Sequence, residues 1–235
     1  MRDQVDRSDS VAASAEWCRM NSQANLFGEP DLSPALSQWH TPAWIARRIA
    51  EWVPAGARVL EPSCGGGNLI AALLDVNPTA QVSGIELDKA WADRCRDRFG
   101  DMVSVTHADF TSRTSLGKPY FVGQMAGLFD CVLMNPPFEA GLHAKFLEIA
   151  LEMAPMVLAI LPVAIEFGEE RDRSFWASKG RVMRRARLPE RVKYGGDSQA
   201  SFETVALRVE RRAYLRVPGE LSAVVEEVWR EGESR

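Results

Sequence analysis

The sequence predicts an α/β fold: a doubly wound, mostly parallel sheet with helices on both faces and an antiparallel C-terminal edge. Three observations predict it. Along 41–165, short apolar runs closed by turn residues alternate with stretches of helical spacing, the pattern of successive βα units. One such run, 58–61, breaks into the glycine-rich turn Cys64-Gly65-Gly66-Gly67 and then into a helix, the opening unit of a doubly wound sheet. Another, 129–134, stops at Pro136-Pro137, because proline has no N–H and a fixed φ and cannot continue a paired strand. That stop either leaves Asn135 and an exposed aromatic, Phe138, on a rigid corner at a strand's C-terminal edge, where open α/β sheets bind ligands, or is a plain loop stop with a core Phe.

The 235 residues, 46% of them hydrophobic, suffice for one generous domain with arms. The formal net charge of -4 excludes a uniformly basic nucleic-acid binder, so such a partner must meet a local basic patch. Cys18, Cys64, Cys95 and Cys131 contain no CxxC pair, which argues against a metal centre or a disulfide framework and suits a reducing, cytoplasmic compartment. The N-terminus is polar and charged, unlike a signal peptide. The longest apolar run, 149–165, is broken by Glu152, Pro155 and Pro162 and does not suit a membrane span.

Residues 1–37 are rich in Ser, Asp, Asn and Ala and read as a mobile or loosely docked arm that Trp17, Leu26 and Phe27 would anchor. Thr41-Pro42 opens a helix, with Thr41 suited to the N-cap and Ile45, Ile49 and Trp52 on one apolar face. The strand 58–61 ends in Glu61, followed by Pro62, Ser63 and the glycine turn. Glycines there let a ligand approach the backbone. Ile70 stands where a dinucleotide fingerprint wants glycine, and Glu61 sits better beside a zwitterionic amino acid or a sulfonium than beside a pyrophosphate. The strand 81–86 ends in a second acid, Glu86, placed for a ribose diol, while Asp88 suits the cap of the helix that runs to Phe99. Two strand-end acids in register favour a nucleoside-containing cofactor. After the strand 102–106, Asp109 either accepts from an adenine amino group, with Phe110 or Leu87 covering the ring, or is a turn residue beside a core Phe. His107 has no ligand-spaced partner and reads as structural.

Residues 111–127 read as a long loop on the same edge. A helix over 142–153 and a buried strand over 157–161 follow. From 171 to 193, nine basic residues face two acids, with Phe175 and Trp176 among them. This segment, within 168–200, is either a solvated face or a phosphate-contacting one; Arg181, Arg184, Arg185, Arg187 and Lys193 are its candidate nucleic-acid contacts. The alternating run 201–209 pairs antiparallel with a strand near 181–188, and a final helix spans about 218–229.

Together, these segments resemble the S-adenosylmethionine-dependent amino-methyltransferases, in the γ-type order with cofactor motifs before the catalytic one. Thr41-Pro42 is similar to the motif that closes over the methionine moiety. Glu61-Pro62-Ser63-Cys64-Gly65 through Gly67 and Leu69 is similar to the main cofactor motif, Glu86-Leu87 to the ribose motif, Asp109-Phe110 to the adenine motif, and Asn135-Pro136-Pro137-Phe138 to the catalytic NPP(Y/F) corner. The resemblance covers about 38–165 well and assigns 38–235 to one Rossmann-like class I methyltransferase domain. It implies S-adenosyl-L-methionine as cofactor, no metal, and transfer to the N6 amino group of adenine. The Asn135 side chain and the Pro136 carbonyl would accept the two N–H groups, and Phe138 would stack on an extruded base. DNA is the implied partner, with RNA as the alternative; glutamine-directed protein methylation and an inactive nucleic-acid-binding scaffold stand further off. The chain has little length for a separate target-recognition domain. Sequence reading then falls to the 111–127 loop, the basic segment, the arm, a homodimer or a specificity partner.

Overall fold

The computed structural model describes residues 41–167, 175–188, 192, 203–211, 224–230 and 232. The arm expected at 1–37 lies outside these residues, as do Lys193 and much of the 168–200 segment. In chain order the elements are α1 (Ala43–Ala50), β1 (Arg58–Glu61), α2 (Asn68–Val76), β2 (Gln81–Glu86), α3 (Lys89–Phe99), β3 (Val103–His107), α4 (Tyr120–Met125), β4 (Cys131–Met134), α5 (Leu142–Met153), β5 (Met156–Pro162), β6 (Gly180–Arg187), β7 (Thr204–Arg211) and β8 (Val225–Val228).

Among the described residues the strands form one sheet in the order β3-β2-β1-β4-β5-β7-β6-β8. The first five are mutually parallel, and β7 runs antiparallel between β5 and β6. The expected doubly wound sheet with an antiparallel C-terminal edge is therefore present. Side chains alternate along each strand. Val59, Cys131, Leu133 and Leu158 join one core with Ile45, Ile49, Leu73 and Phe99, on the α1–α2–α3 side. Leu60, Val132, Met134 and Val157 join a second with Phe121, Phe146, Leu147 and Leu151, on the α4–α5 side. Covered on both faces, β4 and β5 need continuous apolar runs, which is how their sequences read.

The pairing of β1 with β4, Val59 beside Cys131 and Leu60 beside Val132, joins segments seventy residues apart. It is fastened at its start by a fork: Arg58 donates from Nε to Asp130 Oδ2 at 3.1 Å and from Nη2 to Oδ1 at 2.9 Å. The Arg58 N–H also donates to Asp130 Oδ2 at 3.0 Å. In α3, Asp88 Oδ1 accepts the Trp91 N–H at 3.0 Å, the cap expected from sequence.

Four expectations change. Residues 111–127 are not wholly irregular: Arg113 bridges Pro119 in a small hairpin and α4 follows, burying Phe121 and Met125. Helix α1 takes Pro42, not Thr41, as its cap, and the Thr41 hydroxyl is used elsewhere. Phe138 is buried, 8% exposed, in the same core as Ile45 and Ile49 instead of standing in solvent. The final helix expected over 218–229 is, at 225–228, the strand β8 parallel to β6, while 218–223 lie outside the described residues. Its β-branched ends suit a strand, Glu227 pairs with Arg184, and buried Trp229 packs on Trp52 with ring centroids 4.9 Å apart. No described helix is long and apolar enough to cross a membrane.

The turn from β1 to α2 depends on one glycine in particular. Gly67 has φ +80°, and a Cβ there would stand 2.3 Å from Phe99 Cε2. Gly67→Ala should cost about 2–4 kcal/mol by adding left-handed strain to overpacking, read as a lower urea midpoint. Gly123→Ala, in α4 with nothing within 4 Å of the added carbon, should leave the midpoint unchanged or raise it.

Candidate active site

From β1 to β3 the chain steps outward in one direction; it then returns to lay β4 on the other side of β1. The crevice at such a reversal, beyond the strands' C-terminal ends, is the binding position of open α/β sheets. Register places Glu61 beside Gly84 and Glu86 beside His107, so the acids that end β1 and β2 share this edge with the corner after β4. The two walls touch: Ser63 Oγ donates to the Asn135 carbonyl at 3.4 Å, a long bond.

The glycine turn is held by backbone bonds from Cys64 N–H to Ile85 O, 3.0 Å, and from Gly67 N–H to Cys64 O, 2.8 Å. Glu86 joins the two turns. Its Oε2 accepts the Gly65 N–H at 2.6 Å and its Oε1 the Asp88 N–H at 2.9 Å. Burial pushes the Glu86 carboxyl up from its ordinary range, and these N–H bonds oppose the shift. His107, read as structural, pairs through Nε2 with the Leu87 carbonyl at 3.0 Å and so holds the second turn.

Glu61 is 3% exposed. Its Oε2 has no hydrogen-bond partner among the described residues. Burial above all, with the nearby Cys95 and Glu86, raises its pKa well above the usual carboxylate range. An orphaned, desolvated carboxylate oxygen is the expected mark of a site for a cationic ligand group. Cys64 makes no comparable display. The neighbouring Cys95 thiol and burial raise its thiol well above the usual range. A Cβ on Gly84 would lie 2.9 Å from its sulfur, so Cys64 packs beneath the turn and leaves its backbone to shape it. Pro62 is buried behind it, while Gly65, Leu87 and Pro42 are half-buried.

At Asp109 the turn alternative is realised. Oδ1 accepts the Thr111 N–H at 2.7 Å and the Thr111 hydroxyl at 2.8 Å. Phe110 does not line the edge: it is 2% exposed and packs on Phe121 and Phe146 with centroids 6.2 and 5.0 Å away. Leu87 is left as the apolar neighbour on that edge. At the corner, Asn135 is 9% exposed and its Nδ2 donates to Thr41 Oγ1 at 2.9 Å. Pro136 is buried, Pro137 half-buried, and Phe138 meets His143 edge-on at 6.4 Å.

The basic candidates are mostly engaged within the chain. Arg184 pairs with Glu227 and lies over the Trp52 ring, and Arg185 pairs with Glu166 and Glu226. Arg181 is half-buried on β6 and Arg187, at its end, is exposed. Sequence reasoning missed the residues that act behind the site. Ser63 lay inside a motif already in view. Cys95 offered only a buried position on a helix face. Arg98 braces the glycine turn through the Gly66 carbonyl at 3.0 Å, thirty-two residues away in sequence.

Comparison with known proteins agrees with this geometry. Ribosomal RNA large subunit methyltransferase G of Alcanivorax borkumensis is 35% identical over 129 residues, covering 54% of this chain and 29% of that protein. Modification methylase CviBIII of Paramecium bursaria Chlorella virus NC1A is 32% identical over 84 residues, covering 35% of this chain and 19% of that protein. The chain thus spans less than a third of the length of these curated relatives. The crystal structure of a provisionally assigned RNA methyltransferase from Pyrococcus horikoshii aligns with a TM-score of 0.54 and 22% identity, covering 92% of this chain and 100% of that one, a likeness of fold. The family profile described as methionine biosynthesis protein MetW matches residues 45–196, well over half of the sequence. The chain therefore belongs to that family, on a class I S-adenosylmethionine-dependent methyltransferase fold.

Proposed function

We propose that this protein transfers a methyl group from S-adenosyl-L-methionine to the exocyclic N6 amino group of adenine in DNA. The observation that carries the reading is Asn135 at the strand-order reversal, its side-chain Nδ2 on Thr41 and its main-chain carbonyl on Ser63, at the same sheet edge as Glu61, whose Oε2 has no partner among the described residues. The cofactor residues fit the group. Glu61 Oε2 would receive the methionine ammonium, the main chain at Thr41-Pro42 would close over that end, and the turn through Gly65 and Gly67 would admit the ligand to the backbone. Glu86 would take the ribose hydroxyls: each of its oxygens already accepts one N–H and keeps a second lone pair. Leu87 and Asp109 would flank the adenine. When bound, the cofactor supplies an electrophilic methyl group on a sulfonium.

The rest is done by the chain. An adenine amino nitrogen is a poor nucleophile because its lone pair is delocalised into the ring. The Asn135 side-chain oxygen and the Pro136 carbonyl would each accept one N–H, holding the hydrogens so that the lone pair faces the methyl carbon. The rate gain comes from orientation and preset dipoles, with the extra proton of the product passing to solvent. A duplex substrate requires base extrusion, and Phe138, buried in the free chain, would be uncovered to stack on the base. Arg187, exposed at the end of β6, is the member of the basic set that would meet phosphate, since Arg184 and Arg185 hold acids of the chain itself.

RNA is the second reading, favoured by the likeness to a ribosomal RNA methyltransferase. The MetW description alone would point to methionine biosynthesis; a corner with two acceptors for one planar amino group favours adenine instead. Methyl-labelled cofactor offered with duplex DNA, total RNA, protein and a small-molecule extract separates these. N6-methyladenine in DNA is expected, and Asn135→Ala should lower transfer about 10²–10³-fold while cofactor affinity stays within a few-fold. Label confined to RNA establishes the second reading, and label confined to the extract overturns both.

The raised Glu61 pKa gives a pH signature. A cation beside it stabilises the ionised form, so cofactor binding should tighten as pH rises through the raised value, with a proton released on binding below it. Calorimetry between about pH 5 and pH 8 should show this dependence, and Glu61→Gln should weaken binding and flatten the profile, leaving only the Glu86 contribution. In the free chain the sign is opposite. A folded pKa above the unfolded one contributes stability that is full at low pH and lost as pH rises through the folded value, so Glu61→Gln should melt above the wild type at pH 8 and lose that advantage toward pH 4.

A further inference from the structure

We infer that Thr41 is a positioning residue for the catalytic amide: its hydroxyl selects the rotamer of Asn135 that turns the side-chain oxygen toward the amino group to be methylated. The inference rests on the methyl-transfer reading but gives Thr41 a role that neither helix capping nor cofactor contact supplies. Thr41 is not the cap of α1; Pro42 is. Its hydroxyl oxygen instead accepts the Asn135 Nδ2–H at 2.9 Å, across ninety-four residues of sequence, with both residues buried.

A primary amide has two ends of nearly equal size and opposite hydrogen-bonding character. Rotated by half a turn, Asn135 would present N–H groups to an amino group that must itself donate, and the pairing would be lost. Something must therefore tell the two ends apart. The Asn135 main chain is set by the Pro136-Pro137 stop and by the Ser63 contact to its carbonyl, whereas Thr41 meets the side chain. Here the hydroxyl takes the nitrogen end of the amide, and with Pro42 next in sequence no N–H at that position competes for the hydroxyl oxygen, which stays available as the acceptor. The anchorage is also firm. Helix α1 buries Ile45, Ala46, Ile49 and Ala50, and the Ala46 N–H donates to the Pro42 carbonyl at 3.0 Å, so the segment that carries the hydroxyl is fixed by the core.

The test uses Thr41→Val, which keeps the shape and removes the hydroxyl, and Thr41→Ser, which keeps the hydroxyl. On the nucleic acid that accepts label, Thr41→Val should lower kcat at saturating cofactor about 10–100-fold while the cofactor Kd from calorimetry moves less than about threefold; Thr41→Ser should restore kcat to within a few-fold. In an Asn135→Ala background Thr41→Val should cost nothing more. A raised Kd with unchanged saturated kcat would make Thr41 a cofactor ligand and overturn the inference. An independent readout needs no substrate. The Asn135 side-chain amide signals of the free chain, assigned in a nitrogen-15 spectrum by their loss in Asn135→Ala, should shift and exchange faster in Thr41→Val and be retained in Thr41→Ser. Unchanged signals in Thr41→Val would overturn the inference even if no polymer accepted label, and an absence of transfer to any polymer with shifted signals would count against the proposed reaction alone.

Discussion

The pairing of β1 with β4 is the constraint on which the site depends. It brings the Glu61 turn and the Asn135 corner, separate in sequence, to the same edge, at the point where the strand order reverses. A slip of one residue would send Val132 and Met134 to the wrong core and move Asn135 away from Ser63. Hydrophobic alternation resists that slip along the strands. The Arg58–Asp130 fork resists it at the start, because two parallel N–H···O bonds fix direction as well as distance. At a partly exposed position the fork contributes little net stability; its contribution is to geometry.

The same crevice concentrates unfavourable burial. Glu61 and Glu86 both lie where water is scarce, and each raises the other's difficulty or that of its neighbours. The chain relieves them unequally. Glu86 is satisfied by N–H groups of two turns, so it organises the free protein. Glu61 keeps an oxygen with no partner among the described residues, which leaves it the capacity that the proposed cofactor's ammonium would use. That difference separates the two acids, although both end strands and look alike in sequence.

Most of the framework was legible in the sequence because it rests on local chemistry. Prolines stop a strand, glycines open a turn, and Asp88 caps a helix, each through a bond or a steric limit within a few residues. The misreadings share the opposite origin. Phe138 looked exposed because nothing nearby in sequence predicts that α1 will cover it. Phe110 looked available to a ring because its partners, Phe121 and Phe146, come from later elements. The segment 225–228 looked helical until β6 supplied a neighbour and Arg184 and Arg185 supplied counter-charges for Glu227 and Glu226. Those same pairs explain why counting charges over 171–193 overstated the free positive surface: the compensating acids lie about forty residues downstream.

Asn135 and Glu61 together show why this corner carries an amide. At 9% exposure Asn135 is nearly as enclosed as Glu61, whose carboxyl is driven well above its ordinary range by the same enclosure. A carboxylate at the corner would face that penalty. Its state would vary with pH, and when protonated it would offer a donor in place of an acceptor. An amide is an acceptor at every pH and carries no desolvated charge. What it lacks is basicity, which the proposed transfer to an amino group would not require before the bond forms. What it adds is an ambiguity of orientation, and the Thr41 hydroxyl at 2.9 Å stands against that ambiguity. The choice of residue type at the corner and the presence of a hydroxyl ninety-four residues earlier are thus two parts of one electrostatic solution.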